Sequence, residues 1–188
     1  MTRFCLVRHG ETPWNREGRY QGQSDVPLSE VGRSQARLLA RELQGQPITA
    51  IYSSDLERAS KTADIIAETL ALHVVLEPRL REIDQGQWEG RLVRAIRSSY
   101  SQLWNEREVE PAQFRPPGGE TVAEVADRVY AALDDMTKLE RRDVILVVSH
   151  GLALATVICR VRGISLGRAY DCIPENAAPV WVNWAGAD

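Results

Sequence analysis

Two apolar runs in the chain end in the same way, with a histidine followed by a glycine. They lie in residues 4–10 (FCLVRHG) and 144–151 (VILVVSHG). Short continuous apolar runs are typical of buried strands in a parallel sheet, and glycine permits the sharp turn that follows. In an open α/β sheet the ligand crevice lies at the carboxyl ends of the strands. We therefore expect His9 and His150 at one functional edge.

Helical periodicity separates the predicted strands. Ser29 is expected to cap a helix with apolar residues at i, i+3, i+4 and i+7 that stops at Gly45. A strand over residues 50–54 should lead into a helix capped by Asp55, which places Arg58 in its first turn at the same sheet edge. Strands alternating with helices predict an α/β fold with a mostly parallel, doubly wound sheet and helices on both faces.

The later elements follow the same alternation. Thr121 and Glu124 form a capping box ahead of a long amphipathic helix. The other predicted elements are strands at 73–76, 144–148 and 179–184 and a helix from Leu152 to about Val161. Residues 80–120 break the alternation, so we expect a small lid inserted in a single domain that covers residues 1–188. The polar loop over residues 11–28 is longer than a simple connection between elements needs to be, so we expect it to be functional.

Composition narrows the class of protein. The 188 residues suffice for one well-cored domain, and a net charge of −3 gives no reason to seek nucleic acid or a membrane surface. The three scattered cysteines argue against a disulfide framework, and no stretch resembles a signal peptide or a membrane span. We therefore expect a cytoplasmic protein. The apolar final strand is a candidate edge for pairing in a homodimer.

The residues gathered at the sheet edge have a specific chemistry. They are Arg8, His9, Arg58, Glu82 and His150. Guanidinium groups bind phosphate bidentately and lower the pKa of a neighbouring imidazole, which keeps it available as a nucleophile. A nearby carboxyl group can protonate a leaving alkoxide. This composition predicts phosphoryl transfer without a metal ion or other cofactor.

Two other kinds of site remain as alternatives at this point. Two histidines with carboxylates could bind a metal, although adjacent guanidiniums would repel a divalent cation and the HxH and HxxxH spacings are lacking. A dinucleotide site is disfavoured because no G-x-G-x-x-G follows the first strand. Either strand-end histidine could also be structural, and we assign no role to His73. Trp88 and Trp104 are expected to pack within the lid.

The segment Leu6-Val7-Arg8-His9-Gly10-Glu11-Thr12 resembles the signature of the histidine phosphatase superfamily, in the branch that contains cofactor-dependent phosphoglycerate mutases and small-molecule phosphatases. Further matching segments occur in order along most of the chain. They are Asn15, Gly22…Asp25-Val26-Pro27-Leu28-Ser29…Gly32, Ser53-Ser54-Asp55-Leu56…Arg58-Ala59…Thr62-Ala63, Arg81-Glu82-Ile83, Gly118-Gly119-Glu120-Thr121 and Val148-Ser149-His150-Gly151.

The resemblance implies a three-layer α/β/α sandwich with one antiparallel edge strand and no metal. It also implies that His9 becomes a phosphohistidine, that Arg8, Arg58 and His150 hold the phosphoryl oxygens with the help of Asn15, and that Glu82 is the proton donor. We expect His150 to be protonated while it meets the charge of the phosphoryl oxygens. The residues expected to contact the substrate besides these are Asn15, Gln21, Gly22 and Gly151.

Within this branch we favour a phosphatase over a mutase. The predicted lid is compact, and only Ala185 to Asp188 follow the last strand, whereas the mutases carry a longer lid and a closing tail. The expected substrate is a small polar metabolite phosphate, of the phosphoserine, phosphoglycerate, sugar phosphate or ribazole phosphate type. Arg91, Arg94 and Arg97 in the lid suggest a carboxylated ester, although their helical spacing is also that of a solvated face. A mutase, or an inactive phosphoester-binding module, remains an alternative.

Overall fold

A mostly parallel sheet of five strands forms the middle layer of the described structure. The protein is represented by a computed structural model that describes residues 1–140 and 144–186. The strands are β1 (Thr2–Arg8), β2 (Ile48–Ser53), β3 (Val74–Leu76), β4 (Val144–Ser149) and β5 (Pro179–Trp184), in the spatial order β3-β2-β4-β1-β5. Among the pairings of these five strands only that of β5 with β1 is antiparallel, so the predicted sheet with one antiparallel edge strand is confirmed.

Helices cover both faces of this sheet, as predicted. They are α1 (Pro13–Glu17), α2 (Glu30–Glu42), α3 (Glu57–Leu70), α4 (Val93–Ser99), α5 (Ser101–Val109), α6 (Val122–Leu139) and α7 (Gly151–Arg162). Side chains alternate along β1: Phe4 and Leu6 pack in a core with α6 and α7, whereas Cys5 and Val7 pack in a core with α2 and α3. This two-sided burial explains why β1 is apolar without interruption from Phe4 to Val7.

The register of the strands brings the functional edge together. Arg8 at the end of β1 pairs with Ser149 at the end of β4, so His9 and His150 follow neighbouring strands. On its other side β4 pairs with β2, whose last residue, Ser53, lies beside Val148. The turn after β2 leads into α3 and Arg58. The predicted meeting of these residues at one sheet edge is confirmed.

The predicted helix caps are confirmed at two positions and wrong at one. The Ser29 side chain accepts a hydrogen bond from the backbone of Gly32, and Thr121 with Glu124 forms the expected capping box. Asp55, however, does not cap α3, because the capping residue is Leu56, which has no side-chain hydrogen bond to the helix. The Asp55 carboxylate is instead bound by the guanidinium of Arg81, with Nε and Oδ1 2.7 Å apart.

The segment over residues 80–120 contains α4, α5 and a separate aromatic cluster. Trp88 is fully buried there and lies against Trp104 and Phe114, with ring centroids 6.5 and 5.4 Å from its own. Both tryptophans therefore pack within this segment, as expected. None of the helices in the described residues has the length and apolar character needed to cross a bilayer.

The apolar side chains of β5 are used mainly within the chain. Val182 and Trp184 are buried, and the guanidinium of Arg3 lies 4.5 Å from the ring centroid of Trp181. The homodimer suggested by this strand stays a prediction.

Candidate active site

A cavity of about 300 Å³ opens at the carboxyl end of β1. Eight of the nine residues predicted for the site line it. They are Arg8, His9, Asn15, Gln21, Gly22, Arg58, Glu82 and Gly151. The ninth, His150, is fully buried behind the wall, and its ring centroid lies 5.2 Å from that of His9. The structure thus brings the whole predicted set together.

His9 is held in a form suited to nucleophilic attack. Its Nδ1 lies 2.7 Å from the carbonyl oxygen of Gly10, so Nδ1 carries the hydrogen and donates it. Burial, and then the guanidiniums of Arg58 and Arg8, hold the pKa of His9 well below its usual value. The ring is therefore neutral near pH 7, and its Nε2 keeps a free lone pair.

The two arginines of the site are anchored by backbone carbonyl groups. Arg58 is fully buried and donates from its two terminal nitrogens to the carbonyl oxygens of Ser24 and Gly22, at 2.7 Å each. Arg8 donates to the carbonyl oxygen of Pro174 at 3.1 Å. Burial lowers the pKa of Arg58 to about 10, with Glu82 opposing the shift, so Arg58 stays charged at neutral pH. Two fixed positive charges therefore flank His9.

Gly22 is needed where it supports Arg58. Its φ of +52° lies in the left-handed region, and a Cβ there would fall 1.9 Å from Oε1 of Glu89. That carboxylate cannot move away freely, because it accepts hydrogen bonds from the backbone of Gln23 and from the hydroxyl of Ser24. A glycine is therefore required here on steric grounds, while the predicted contact of Gly22 with the substrate stays a prediction.

His150 is held by one hydrogen bond and is neutral in the free protein. Its Nε2 shares a 2.8 Å hydrogen bond with the hydroxyl of Ser54, while its buried Nδ1 has no hydrogen-bond partner among the described residues. Burial, and then the charge of Arg58, hold the pKa of His150 well below its usual value. This ring is therefore neutral in the free protein. The protonation expected of His150 concerns the site with a phosphoryl group bound, and it stays a prediction.

Glu82 is fixed by the first turn of α7. Its two carboxylate oxygens accept hydrogen bonds from the backbone N–H groups of Leu152 and Ala153, at 3.1 and 3.2 Å. One of them also accepts from the N–H of Ile83 at 3.0 Å. Because the carboxylate has further lone pairs, it can also interact with a group in the cavity that it lines.

Two amides on the polar loop are oriented by one threonine. The Thr12 hydroxyl lies 3.2 Å from Oδ1 of Asn15 and 2.9 Å from Oε1 of Gln21, and the backbone N–H of Thr12 donates to the same Asn15 oxygen. With their oxygens engaged, both side chains offer their NH₂ groups to an anion in the cavity that they line.

Comparison with known proteins agrees with this geometry. The family model described as histidine phosphatase superfamily (branch 1) matches residues 4–188. The chain belongs to this superfamily. It is 39% identical over 178 residues to phosphoserine phosphatase 1 of Hydrogenobacter thermophilus, which covers 95% of this chain and 84% of the relative.

Other relatives of this histidine phosphatase have different names. A probable phosphoglycerate mutase GpmB from Serratia proteamaculans is 43% identical over 165 residues, or 87% of this chain and 76% of that one. The solved structure of Bacillus stearothermophilus YhfR superposes with a TM-score of 0.90 at 31% identity, over 99% of this chain and 93% of that one. The chain is thus a phosphatase enzyme of this fold, and the substrates of its relatives differ.

Several residues that line the cavity were not predicted from the sequence. They are Gln85, Val93, Arg107, Tyr170 and Ile173. Arg107 lies three residues after Trp104 on a helix and so shares a face with it, but this spacing does not show that the face is directed to a cavity. Tyr170 lies in a short 3₁₀ helix after α7 (Leu166–Cys172) and Ile173 directly follows it, and the hydrophobic pattern gives no signal there.

The role suggested for the lid arginines Arg91, Arg94 and Arg97 is wrong. All three are exposed, and none lines the site. Arg91 lies over the ring of Tyr100, and Arg97 lies over that of Trp104 with its guanidinium carbon 5.8 Å from the ring centroid. These side chains cover the outside of the aromatic cluster, as snorkelling residues do.

The donor set of this histidine phosphatase is not that of a metal site. Among residues 1–140 and 144–186, no three histidine, cysteine or acidic side chains are grouped so that they could hold an ion. The groups beside His9 are guanidiniums, which repel cations and bind oxyanions.

Proposed function

We propose that the protein hydrolyses phosphate monoesters of small polar metabolites through a phosphohistidine on His9, without a metal ion. The observation that carries this proposal is the state of His9. Its Nδ1 hydrogen is bound to the carbonyl oxygen of Gly10, its pKa is lowered, and the guanidiniums of Arg8 and Arg58 flank it. A neutral imidazole beside a built anion site is arranged to attack phosphorus.

In the first step Nε2 of His9 attacks phosphorus in line with the departing oxygen. Negative charge on the equatorial oxygens is met by Arg8 and Arg58, whose anchors fix them before the substrate arrives. The amides of Asn15 and Gln21 supply neutral donors at the same cavity. The backbone N–H groups that bind Glu82 hold its carboxyl group on the wall. In its protonated form, which the proton taken from water in the second step regenerates, Glu82 protonates the leaving oxygen.

His150 supports the phosphoryl group from behind His9. Its Nδ1 is buried without a partner among the described residues, and the two rings lie in contact. A phosphoryl group on His9 brings two or more negative charges to this place, which favours proton uptake by the neighbouring imidazole. In this proposal His150 therefore becomes protonated when phosphate binds, although it is neutral in the free protein.

The second step is the transfer of the phosphoryl group from His9 to water. Glu82, now deprotonated, removes a proton from the water that attacks phosphorus. A mutase would instead return the phosphoryl group to a substrate, so the fate of the phosphohistidine separates the two activities. The name of the GpmB relative makes this distinction worth testing directly.

The test measures free phosphate and isomerised product in the same reaction. The enzyme is incubated with phosphoserine, 3-phosphoglycerate and p-nitrophenyl phosphate in the presence of EDTA and without bisphosphoglycerate. We expect release of phosphate with EDTA present, and an acid-labile phosphoryl label on the wild type in a rapid quench that is lost in the His9→Ala variant. The His73→Ala variant is the matched control, because His73 is an exposed histidine away from the cavity.

Three outcomes would count against the proposal. Isomerised phosphoglycerate with little free phosphate would identify a mutase. Loss of activity with EDTA that returns with a divalent cation would show a metal requirement. A wild-type enzyme that binds phosphate esters but never acquires the label would indicate a binding module.

A further inference from the structure

The lining of the cavity includes an arginine held between two aromatic rings. Arg107 extends from α5, and its guanidinium carbon lies 4.6 Å from the ring centroid of Trp104 and 3.9 Å from that of Tyr170. Trp104 belongs to the segment over residues 80–120, whereas Tyr170 follows α7, so this stack joins two separate parts of the chain. Arg107 lines the same cavity as His9.

The stack fixes the guanidinium and leaves it without a counter-ion. Within the described residues Arg107 forms no salt bridge, and its buried Nε has no hydrogen-bond acceptor. Contact with aromatic faces occupies the faces of the guanidinium plane, while its N–H groups point outward from the edge of that plane. Nε is enclosed, but no acceptor among the described residues binds the terminal N–H groups, so these groups remain free to bind an oxyanion in the cavity.

The second arginine on this side of the cavity is already satisfied. Arg19 also lines the cavity, but its Nε donates to the carboxylate of Glu17 at 2.5 Å and its Nη1 donates to the carbonyl oxygen of Gly90 at 2.8 Å. Among the described lining residues outside the phosphate site, Arg107 therefore offers one unpaired positive charge. One charge matches a monoanion such as a carboxylate better than a second phosphate.

Building on the proposed function, we infer that Arg107 binds a carboxylate of the substrate and so selects carboxylated phosphomonoesters. The phosphate end occupies the site of Arg8, His9 and Arg58, and the carboxylate end reaches Arg107. The cavity volume of about 300 Å³ is at the small end of the range for ligand sites, which suits a short molecule that spans both ends. Neutral sugar phosphates leave Arg107 unpaired and are poorer substrates.

Two pairs of substrates that differ at the carboxylate test this inference. Phosphoethanolamine is phosphoserine without its carboxylate, and glycerol 3-phosphate has a hydroxymethyl group where 3-phosphoglycerate has a carboxylate. For the wild type we expect kcat/KM to be 10 to 100 times higher for the carboxylated member of at least one pair. In the Arg107→Met variant kcat/KM for the carboxylated member should be no more than threefold that for the other member. The change should come from loss of activity on the carboxylated substrate alone.

The matched control is the Arg97→Met variant. Arg97 also stacks on Trp104, but it is exposed and does not line the cavity, so its removal should leave both substrates unchanged. The Arg107→Lys variant keeps the charge and loses the planar fork. It should retain an intermediate preference, which a merely structural role of Arg107 would not produce.

The outcomes separate this inference from the proposed function. A wild type that hydrolyses both members of each pair at similar rates overturns the role of Arg107 and leaves the phosphatase activity standing. An equal loss on both members in the Arg107→Met variant also overturns it, because that pattern indicates a general structural effect. A wild type that releases no phosphate from any of these esters, nor from p-nitrophenyl phosphate, overturns the proposed function itself.

Discussion

The imidazole rings of His9 and His150 lie with their centroids 5.2 Å apart and their planes inclined by 57°. Both rings are buried beside Arg58, and burial is the main reason that the pKa of each lies well below its usual value. Two neutral rings can lie together here, whereas two imidazolium ions beside a guanidinium would repel one another. In the free enzyme both imidazole rings of the phosphate site are therefore neutral before the substrate binds.

This pair makes the stability of the protein depend on pH. In the unfolded chain each histidine takes up a proton near its ordinary pKa of 6.5, whereas in the folded protein it does so only at much lower pH. The unfolded state thus binds more protons below pH 6.5. We expect the free energy of unfolding to fall by about 1.4 kcal/mol per pH unit for each histidine between about pH 6 and pH 5. Urea titrations at several pH values measure this slope.

Glutamine variants separate the contribution of the two buried histidines to this pH dependence from that of all other groups. The His9→Gln, His150→Gln double variant should lose most of this slope, since no other described histidine is buried. The His73→Gln variant should keep the wild-type slope, because His73 is exposed in both states. Equal slopes in the double variant and the wild type would contradict the neutral pair.

The sequence could predict the sheet and the phosphate end of the site because both depend on local rules. Buried strands are apolar throughout, and the residues after their carboxyl ends converge wherever the strands are parallel. This logic placed Arg8, His9 and His150 correctly. It also placed Arg58, although the cap assigned to its helix was wrong, since that assignment did not allow for the competing guanidinium of Arg81 at Asp55.

The lining residues outside the phosphate site, such as Arg107 and Tyr170, could not be predicted in the same way. Arg107 becomes a cavity residue only because Tyr170, sixty-odd positions later in the chain, packs against it. By helical spacing alone, Arg91, Arg94 and Arg97 are as good candidates for the cavity lining as Arg107. Helical spacing does not distinguish a face directed to solvent from one directed to a cavity. Whether a helix face lies against the cavity or in solvent depends on packing between segments that are far apart in the chain. The hydrophobic pattern of a single sequence does not reveal such packing.

Replacing Arg58 by lysine should weaken the phosphate site although the charge is kept. The guanidinium uses two nitrogens for the carbonyl groups of Ser24 and Gly22, and a single ammonium cannot hold both while binding an oxyanion. We expect kcat/KM for phosphate esters to fall by about 10²- to 10³-fold. Competitive inhibition by vanadate should weaken in parallel.

The Arg33→Lys variant is the control for this exchange, because Arg33 lies on α2 and pairs only loosely with Glu30 at 3.6 Å. Its kcat/KM should match that of the wild type. A wild-type inhibition constant for vanadate in the Arg58→Lys variant would show that Arg58 does not bind the phosphoryl group.

Alanine at Gly22 should cost more stability than alanine at Gly18. Both glycines have positive φ, of +52° and +70°, but a Cβ at Gly18 meets nothing within 4 Å, whereas one at Gly22 meets the carboxylate of Glu89. Backbone strain alone costs about 1 kcal/mol at either position. The clash at Gly22 adds about 1–3 kcal/mol, and it also disturbs the carbonyl group that anchors Arg58.

Chemical denaturation and kinetics together check this comparison. The Gly22→Ala variant should be the less stable of the two and should also lose activity. Because Gly18 also lines the cavity, the control for activity is the Gly45→Ala variant, which has φ of +80°, nothing within 4 Å of its Cβ and no place in the cavity lining, and which should lose stability alone. Equal losses of stability would mean that Glu89 moves aside without cost.

Arg128 should act on the proposed reaction by positioning Glu82. Its guanidinium donates to the carbonyl oxygens of Arg79, Arg81 and Glu82, at 2.8, 2.6 and 2.9 Å, and is itself held by the carboxylate of Glu120. The segment that carries the proton donor is thus clamped from outside the cavity. Replacement by methionine should misplace the Glu82 carboxyl group without removing any group from the phosphate site.

The leaving group reveals whether the Arg128→Met variant has this effect. An alkyl phosphate needs a proton on its leaving oxygen, whereas p-nitrophenolate leaves without one, so kcat/KM should fall about tenfold or more for phosphoserine and within threefold for p-nitrophenyl phosphate. The Glu82→Gln variant should show the same selectivity with a larger loss. The control is the Arg79→Met variant, whose backbone carbonyl is unchanged and whose side chain pairs with Glu77 and Asp135 instead. Equal losses on both substrates in the Arg128→Met variant would mean that Arg128 holds the fold and does not tune proton transfer.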